Sequence, residues 1–218
     1  MKYEAVVFDL DGTLIDSATD LGNAVNRVLV AHGFQIHEIP KYRMFIGDGA
    51  ETMVKRALPE SGRDDQTIKQ CLAEFLEDYY QNFDVDTVLY DGIPDLLDSL
   101  TEKSIKLSIL TNKPYEIAIK FLDSILSHWD FDIVVGQKNA LPKKPDPTGA
   151  FIVSEKLGVL TEKIVYLGDS GIDMKTAVSA GMLPIGVLWG FRSRDELIDN
   201  GAKYLINKPL EINNLIAF

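Results

Sequence analysis

Hydrophobic residues along the chain fall into two alternating kinds of segment. Short apolar runs lie at 3–9, 107–111, 132–135, 164–167, 184–189 and 203–206. Most lack polar alternation, the pattern of strands covered on both faces. Between them, apolar residues recur at helical spacing. Ile93, Leu96, Leu97 and Leu100 form one stripe, with Pro94 in its first turn. Pro114 opens a second, carrying Ile117, Ala118, Phe121, Leu122 and Ile125, and Ala177, Ala180 and Gly181 close a third. This alternation predicts an α/β fold, a doubly wound parallel sheet with a Rossmann-like core.

One interval breaks the rhythm. From 16 to 82 only helical periodicity is found: Leu21, Val25, Val28 and Leu29, stopped by Gly33; Ala50, Met53, Val54, Ala57 and Leu58, stopped by Pro59; and a long stripe from Ile68 through Cys71, Phe75 and Tyr79 to Phe83. Asp64 or Asp65 would cap the last. Amphipathic helices in one block should pack as a bundle. The expected organisation is a helical-bundle cap domain at 16–82 inserted into a core domain formed by 1–15 and 83–218, with hinges near 16–18 and 82–90.

Composition narrows the function classes. The 218 residues include 22 Lys+Arg against 33 Asp+Glu, a formal net charge of −11, and the pI is about 4.7. Such acidity argues against nucleic acid or an anionic membrane as partner. The longest nearly uninterrupted apolar stretch, 182–191, is about half the length of a membrane span and contains Pro184. Met1-Lys2-Tyr3 leads straight into a strand pattern, so no signal peptide is expected. The single Cys71 sits at an apolar helix position and is expected as a buried thiol. A cytoplasmic location is expected, as a monomer or homodimer.

Chemistry concentrates at strand ends. The first strand runs into Asp9-Leu10-Asp11-Gly12-Thr13, and ligands of open parallel sheets bind beyond such ends. Taken alone, this could be an acidic turn capping the next helix. A second strand ends in Gly168-Asp169-Ser170-Gly171-Ile172-Asp173, where Asp169 could be a helix N-cap and Asp173 a first-turn charge. Neither explains why both strand ends are acidic. Carboxylates gathered at one point repel unless a cation sits among them, and hard oxygen donors suit Mg²⁺. Thr111-Asn112 ends a third strand with groups able to bind phosphate oxygens or merely to cap a helix. Lys143-Lys144-Pro145 could aim a lysine inward or form a solvated basic loop.

The ordered set Asp9-x-Asp11-Gly12-Thr13, Thr111-Asn112, Lys144-Pro145 and Gly168-Asp169-Ser170-x-x-Asp173 resembles the haloacid dehalogenase superfamily of phosphohydrolases, over nearly the whole chain. The resemblance implies that Asp9 is the nucleophile forming an aspartyl phosphate and that Asp11 is the general acid, then the base. Asp9, the backbone carbonyl of Asp11, and Asp169 would hold Mg²⁺, supported by Asp173. Thr111 and Lys144 would bind phosphate oxygens, with Asn112 in support; Lys144 is preferred over Lys143 because the family's lysine directly precedes proline.

The position of the helical insertion matches members with a helical cap. Within that group Ile46-Gly47-Asp48-Gly49-Ala50 resembles the cap loop of phosphoglycolate phosphatases, as do 110–114 and 166–181. Gly47, Asp48 and Gly49 are therefore expected to reach the non-phosphate end of a small phosphorylated metabolite. Lys55 or Arg56 could read a substrate carboxylate or simply lie on a solvated helix face. A sugar-phosphate mutase resembling β-phosphoglucomutase, a pyrophosphatase, a phosphonate hydrolase with a cap lysine, and a phosphate-accepting signalling receiver remain alternatives. His32, His37 and His128 lack metal-ligand spacing, and Trp189 either borders the site or packs in the core.

Overall fold

All six apolar runs become strands of one parallel sheet in the computed structural model, which describes residues 2–138 and 140–218. In chain order, with two further short strands, they are β1 Ala5–Phe8, β2 Ile15–Asp16, β3 Val88–Leu89, β4 Lys106–Pro114, β5 Ile133–Gln137, β6 Ile164–Gly168, β7 Leu183–Val187 and β8 Tyr204–Ile206. The sheet order is β5-β4-β1-β6-β7-β8. β1 is central, with Phe8 paired to Ile109 on one side and to Leu167 on the other. The order reverses beside β1, so the crevice at its carboxyl end is the expected ligand position.

Side chains alternate between two apolar layers. Val6 and Phe8 join Leu107, Ile109, Val165 and Leu167 on one face, while Ala5 and Val7 join Leu110, Ile164 and Tyr166 on the other. The covering helices are α5 Ile93–Glu102, α6 Tyr115–Asp123, α7 Thr148–Leu157, α8 Gly171–Ala180, α9 Arg194–Asp199 and α10 Ile212–Leu215, following the four of the insertion: α1 Ala18–Ala31, α2 Ile39–Phe45, α3 Ala50–Ala57 and α4 Asp65–Gln81. Among the described residues, no helix is long and apolar enough to cross a membrane.

The insertion folds for the reasons its pattern suggested. Gly33, at φ +70°, follows α1, and the Phe34 N–H returns to the Leu29 carbonyl across that turn. Asp64, not Asp65, caps α4 by accepting the Thr67 N–H at 3.0 Å. Cys71 is fully buried on the inner face of α4, where burial pushes its thiol pKa up. α2 escapes the periodicity because it is short and buries only Tyr42. α6 ends at Asp123, before Ile125.

β2 and β3 pair antiparallel where the chain leaves and re-enters the core. Strands of two residues carry too little pattern to be read in advance, so the expectation of purely helical structure from residue 16 is corrected at Asp16. Asp20, buried at the start of α1, reinforces the crossing. Its carboxylate accepts the backbone N–H groups of Asp86 and Thr87 and the Thr87 hydroxyl, at 2.7–3.1 Å.

Candidate active site

β1, β4 and β6 all point their carboxyl ends at one crevice, and the chain leaving each carries the polar residues. Asp9 follows β1, and its backbone N–H still pairs with the Leu167 carbonyl, so the side chain is aimed by the sheet itself. Its Oδ1 accepts the Leu10 N–H at 2.7 Å and lies 2.8 Å from Nζ of Lys144. Gly12 turns the chain at φ +84°, and a Cβ there would meet the Asp169 carboxylate at 2.3 Å. Glycine is thus required twice over, by conformation and by contact.

The β6 end brings the other acids. Ser170, not Asp169, is the N-cap of α8. Asp173 completes the capping box: its Oδ2 accepts from the Ser170 N–H at 3.1 Å and hydroxyl at 2.6 Å. This leaves its Oδ1 for the Lys144 ammonium at 2.6 Å. Asp173 therefore serves both local helix chemistry and the site. Asp169 accepts the Phe191 N–H at 2.7 Å from the loop after β7. Carboxylate oxygens of Asp9, Asp169 and Asp173 lie within 4.8 Å of one another.

Burial and like charge set the electrostatics of this cluster. Burial first, then the Asp173 charge, pushes Asp9 up to about 7, against the pull of Lys144. Burial, with Asp173 and Asp9, raises Asp169 well above the usual carboxylate range. Burial opposes the charge on Lys144, but Asp173 and Asp9 outweigh it and hold that ammonium firmly protonated. Lys144 pairs with two of the three buried carboxylates, Asp9 and Asp173, so the donor set fits a hard divalent cation.

Asp11 stands apart from the three. Its Oδ1 accepts the Ser17 hydroxyl at 2.5 Å, and Lys113 Nζ lies 2.7 and 2.9 Å from its two oxygens. Lys113 lies in the 110–114 segment quoted for the resemblance but was given no role there, since its partner Asp11 is 102 positions away. Thr111 lines the cavity beside Asp9, and its Oγ1 accepts the Lys113 N–H at 3.2 Å. Asn112 clamps the backbone of Lys144 on both sides, donating to its carbonyl at 3.1 Å and accepting its N–H at 2.8 Å. Lys143 instead reaches the cap loop at Gly49.

The cap rests closed over this crevice. Asn112 also donates to the Gly47 carbonyl at 3.1 Å. Arg192, from the loop after β7, donates to the carbonyls of Ile46 and Arg43. It too was passed over, because a surface-loop arginine carries no local signal. Gly47 and Gly49 line the cavity beside Asp9. Asp48 is held by Arg56 at 2.5 Å, which places Arg56 on the loop's own support, while Lys55 is exposed. Trp189 packs against the core and donates its indole N–H to the Thr13 carbonyl at 3.0 Å.

Comparison with known proteins identifies relatives of this chain. Residues 6–187 match the family described as haloacid dehalogenase-like hydrolase. A phosphoglycolate phosphatase of Pseudomonas putida is 34% identical over 190 residues, covering 85% of this chain and 70% of that protein. One from Colwellia psychrerythraea is 32% identical over 208 residues, covering 93% and 92%. A crystal structure from Lactobacillus delbrueckii subsp. bulgaricus, provisionally assigned as a phosphoglycolate phosphatase, superposes with a TM-score of 0.92 at 29% identity over 100% of this chain and 99% of that one. CbbY of Rhodobacter sphaeroides, solved with phosphate, shares the fold with a TM-score of 0.80 at 22% identity. With the acidic crevice, the helical cap and these relatives together, the chain belongs to the haloacid dehalogenase-like hydrolases.

Proposed function

We propose that this hydrolase releases phosphate from 2-phosphoglycolate, with Mg²⁺ as cofactor and through a phosphorylated Asp9. The carrying observation is the pairing of Asp9 with Lys144, 2.8 Å apart, inside a cluster of three buried carboxylates. An acid whose affinity for protons is raised by burial and like charge is a poor nucleophile until a cation joins it. Mg²⁺, held by Asp9 and Asp169 with Asp173 in support, would supply that charge and offset the repulsion between a carboxylate and a phosphate dianion.

The residues then divide the work. A carboxylate oxygen of Asp9 attacks phosphorus, forming an acyl phosphate as the ester P–O bond breaks. Asp11, outside the cluster, enters this step protonated on one oxygen, with the other still on Lys113, and gives that proton to the leaving oxygen. Asp11 next takes a proton from water as the water oxygen attacks the same phosphorus, and phosphate departs with Asp9 restored. Lys144 and Thr111 hold phosphate oxygens during both displacements, and the closed cap limits water to the one needed. The names of the relatives support 2-phosphoglycolate as the substrate.

The test is phosphate release from a panel of 2-phosphoglycolate, pyrophosphate and hexose phosphates, each with and without Mg²⁺. Preferential, Mg²⁺-dependent turnover of 2-phosphoglycolate is expected. A preference for pyrophosphate or for isomerisation of a hexose phosphate would replace this reading by another within the family.

A further inference from the structure

The cavity beside Asp9 has walls unsuited to a sugar. Leu21, Met53 and Phe75 line it from the cap and Ile117 from the core. A polyhydroxylated leaving group would lose its water there and find few partners. Besides Asp9, Thr111 and Asn112, which the phosphatase reading assigns to the phosphate end, two further polar side chains line it, Lys113 and Tyr79. Lys113 is the one cation among the lining residues and is 5% exposed. Its ammonium lies 4.8 Å from the ring centre of Tyr79 and 5.2 Å from that of Phe121. Tyr79, also lining the cavity, is 1% exposed, and its hydroxyl has no hydrogen-bond partner among the described residues. Buried hydroxyls are ordinarily paired, so one left without a partner on a residue that lines a cavity is open to a ligand there.

We propose that Lys113 and Tyr79 form a receptor for a carboxylate on the leaving group, making the chain selective for small phosphorylated 2-hydroxy acids over sugar and alkyl phosphates. This rests on the phosphatase reading above. The distances set the class of substrate. Asp11 must reach the ester oxygen to protonate it, and Lys113 is bonded to both oxygens of Asp11. The ammonium therefore sits within a few ångströms of the ester oxygen, where a carboxylate on the adjoining carbon would lie. An ammonium has three donors, so it can meet that carboxylate without releasing Asp11. The second carboxylate oxygen is then free to accept from Tyr79. A merely structural Lys113, present only to neutralise Asp11, leaves the Tyr79 hydroxyl unexplained.

The experiment compares kcat/KM for 2-phosphoglycolate and ethyl phosphate, which carries a methyl in place of the carboxylate, in wild type, Lys113→Met, Lys113→Arg and Tyr79→Phe. Wild type should favour 2-phosphoglycolate. Lys113→Met should shrink that preference about 100-fold, Lys113→Arg should recover part of it, and Tyr79→Phe should shrink it about 5- to 10-fold, chiefly through KM. Equal losses on both substrates in Lys113→Met would reduce Lys113 to a positioning partner of Asp11 and overturn the proposal. An unchanged preference in Tyr79→Phe would overturn the receptor as drawn. If Lys113→Met fails to fold, Tyr79→Phe, which removes only an unpartnered hydroxyl, still decides. Wild type that cleaves ethyl phosphate at least as well as 2-phosphoglycolate refutes the receptor and leaves the phosphatase intact. Wild type that cleaves neither refutes the phosphatase reading itself.

Discussion

The side-chain amide of Asn112 grips the backbone of Lys144 from both directions, at 2.8 and 3.1 Å, and the same NH₂ group reaches the Gly47 carbonyl of the cap at 3.1 Å. One residue thus connects the lysine beside Asp9 to cap closure. Asn112→Ala should leave the Lys144 N–H and carbonyl buried without partners, costing about 1–3 kcal/mol of stability. It should also lower kcat/KM by about 10- to 100-fold, since a small displacement of a catalytic group is costly. Thermal melts and steady-state kinetics check both; wild-type values for each would dissociate Asn112 from the site.

Asp9→Asn should abolish turnover, by at least about 10⁴-fold in kcat, as removal of a covalent nucleophile does. The fold should survive, because Asn is isosteric and removes a charge already opposed by burial and by Asp173. Purified protein with a wild-type melt and no phosphate release is expected. Turnover near wild type would reject the nucleophile.

The adjacent lysines should behave unlike each other. Lys144→Ala leaves Asp9 and Asp173 buried without their shared counter-charge, a loss of about 3–5 kcal/mol by analogy with other broken buried pairs. Lys143→Ala, whose side chain lies by Gly49 at the cap loop, should cost under about 1 kcal/mol. Chemical denaturation of both variants in the absence of metal separates them.

Metal and pH should be linked with a definite sign. Asp9 is raised to about 7 in the folded chain, and Asp169 is raised as well, by burial and its two acidic neighbours. Between the ordinary carboxylate range, about 4, and that folded value, the native state holds protons the unfolded chain has released. Metal-free stability therefore falls as pH rises through this window. Mg²⁺ bound as proposed would add positive charge among these acids, so it should raise Tm more at pH 8 than at pH 5. Equal Mg²⁺-induced shifts at the two pH values would show that the cation binds elsewhere.

Asp20→Ala should loosen the junction between core and cap. It removes the acceptor for the Asp86 and Thr87 N–H groups, costing about 2–3 kcal/mol. Limited proteolysis should then cut faster near 83–88, and cleavage as slow as wild type would argue against this role.

Local pattern and long-range geometry made separate contributions. The six parallel strands, the helical insertion, an aspartate cap at 64 or 65 and the buried Cys71 were legible because each follows from neighbouring residues: burial on two faces, a helical stripe, a capping side chain. The acids Asp9, Asp169 and Asp173 and the lysine Lys144 were legible as a family pattern at strand ends. The two-residue pair β2 and β3, the helix α2 with its single buried residue, and the choice of Ser170 over Asp169 as N-cap were not, because too few residues carry the pattern or two adjacent ones can fill one role. Beyond them lie relationships that sequence order cannot express. Lys113 meets Asp11, Arg192 meets Ile46, and Tyr79 faces the same cavity as Thr111 only once strands and cap are packed. Hydrophobic spacing is a property of consecutive positions and determines the elements. Which charges end up paired, and which hydroxyl is left waiting, depends on distances across the closed crevice, and those exist only in the folded chain.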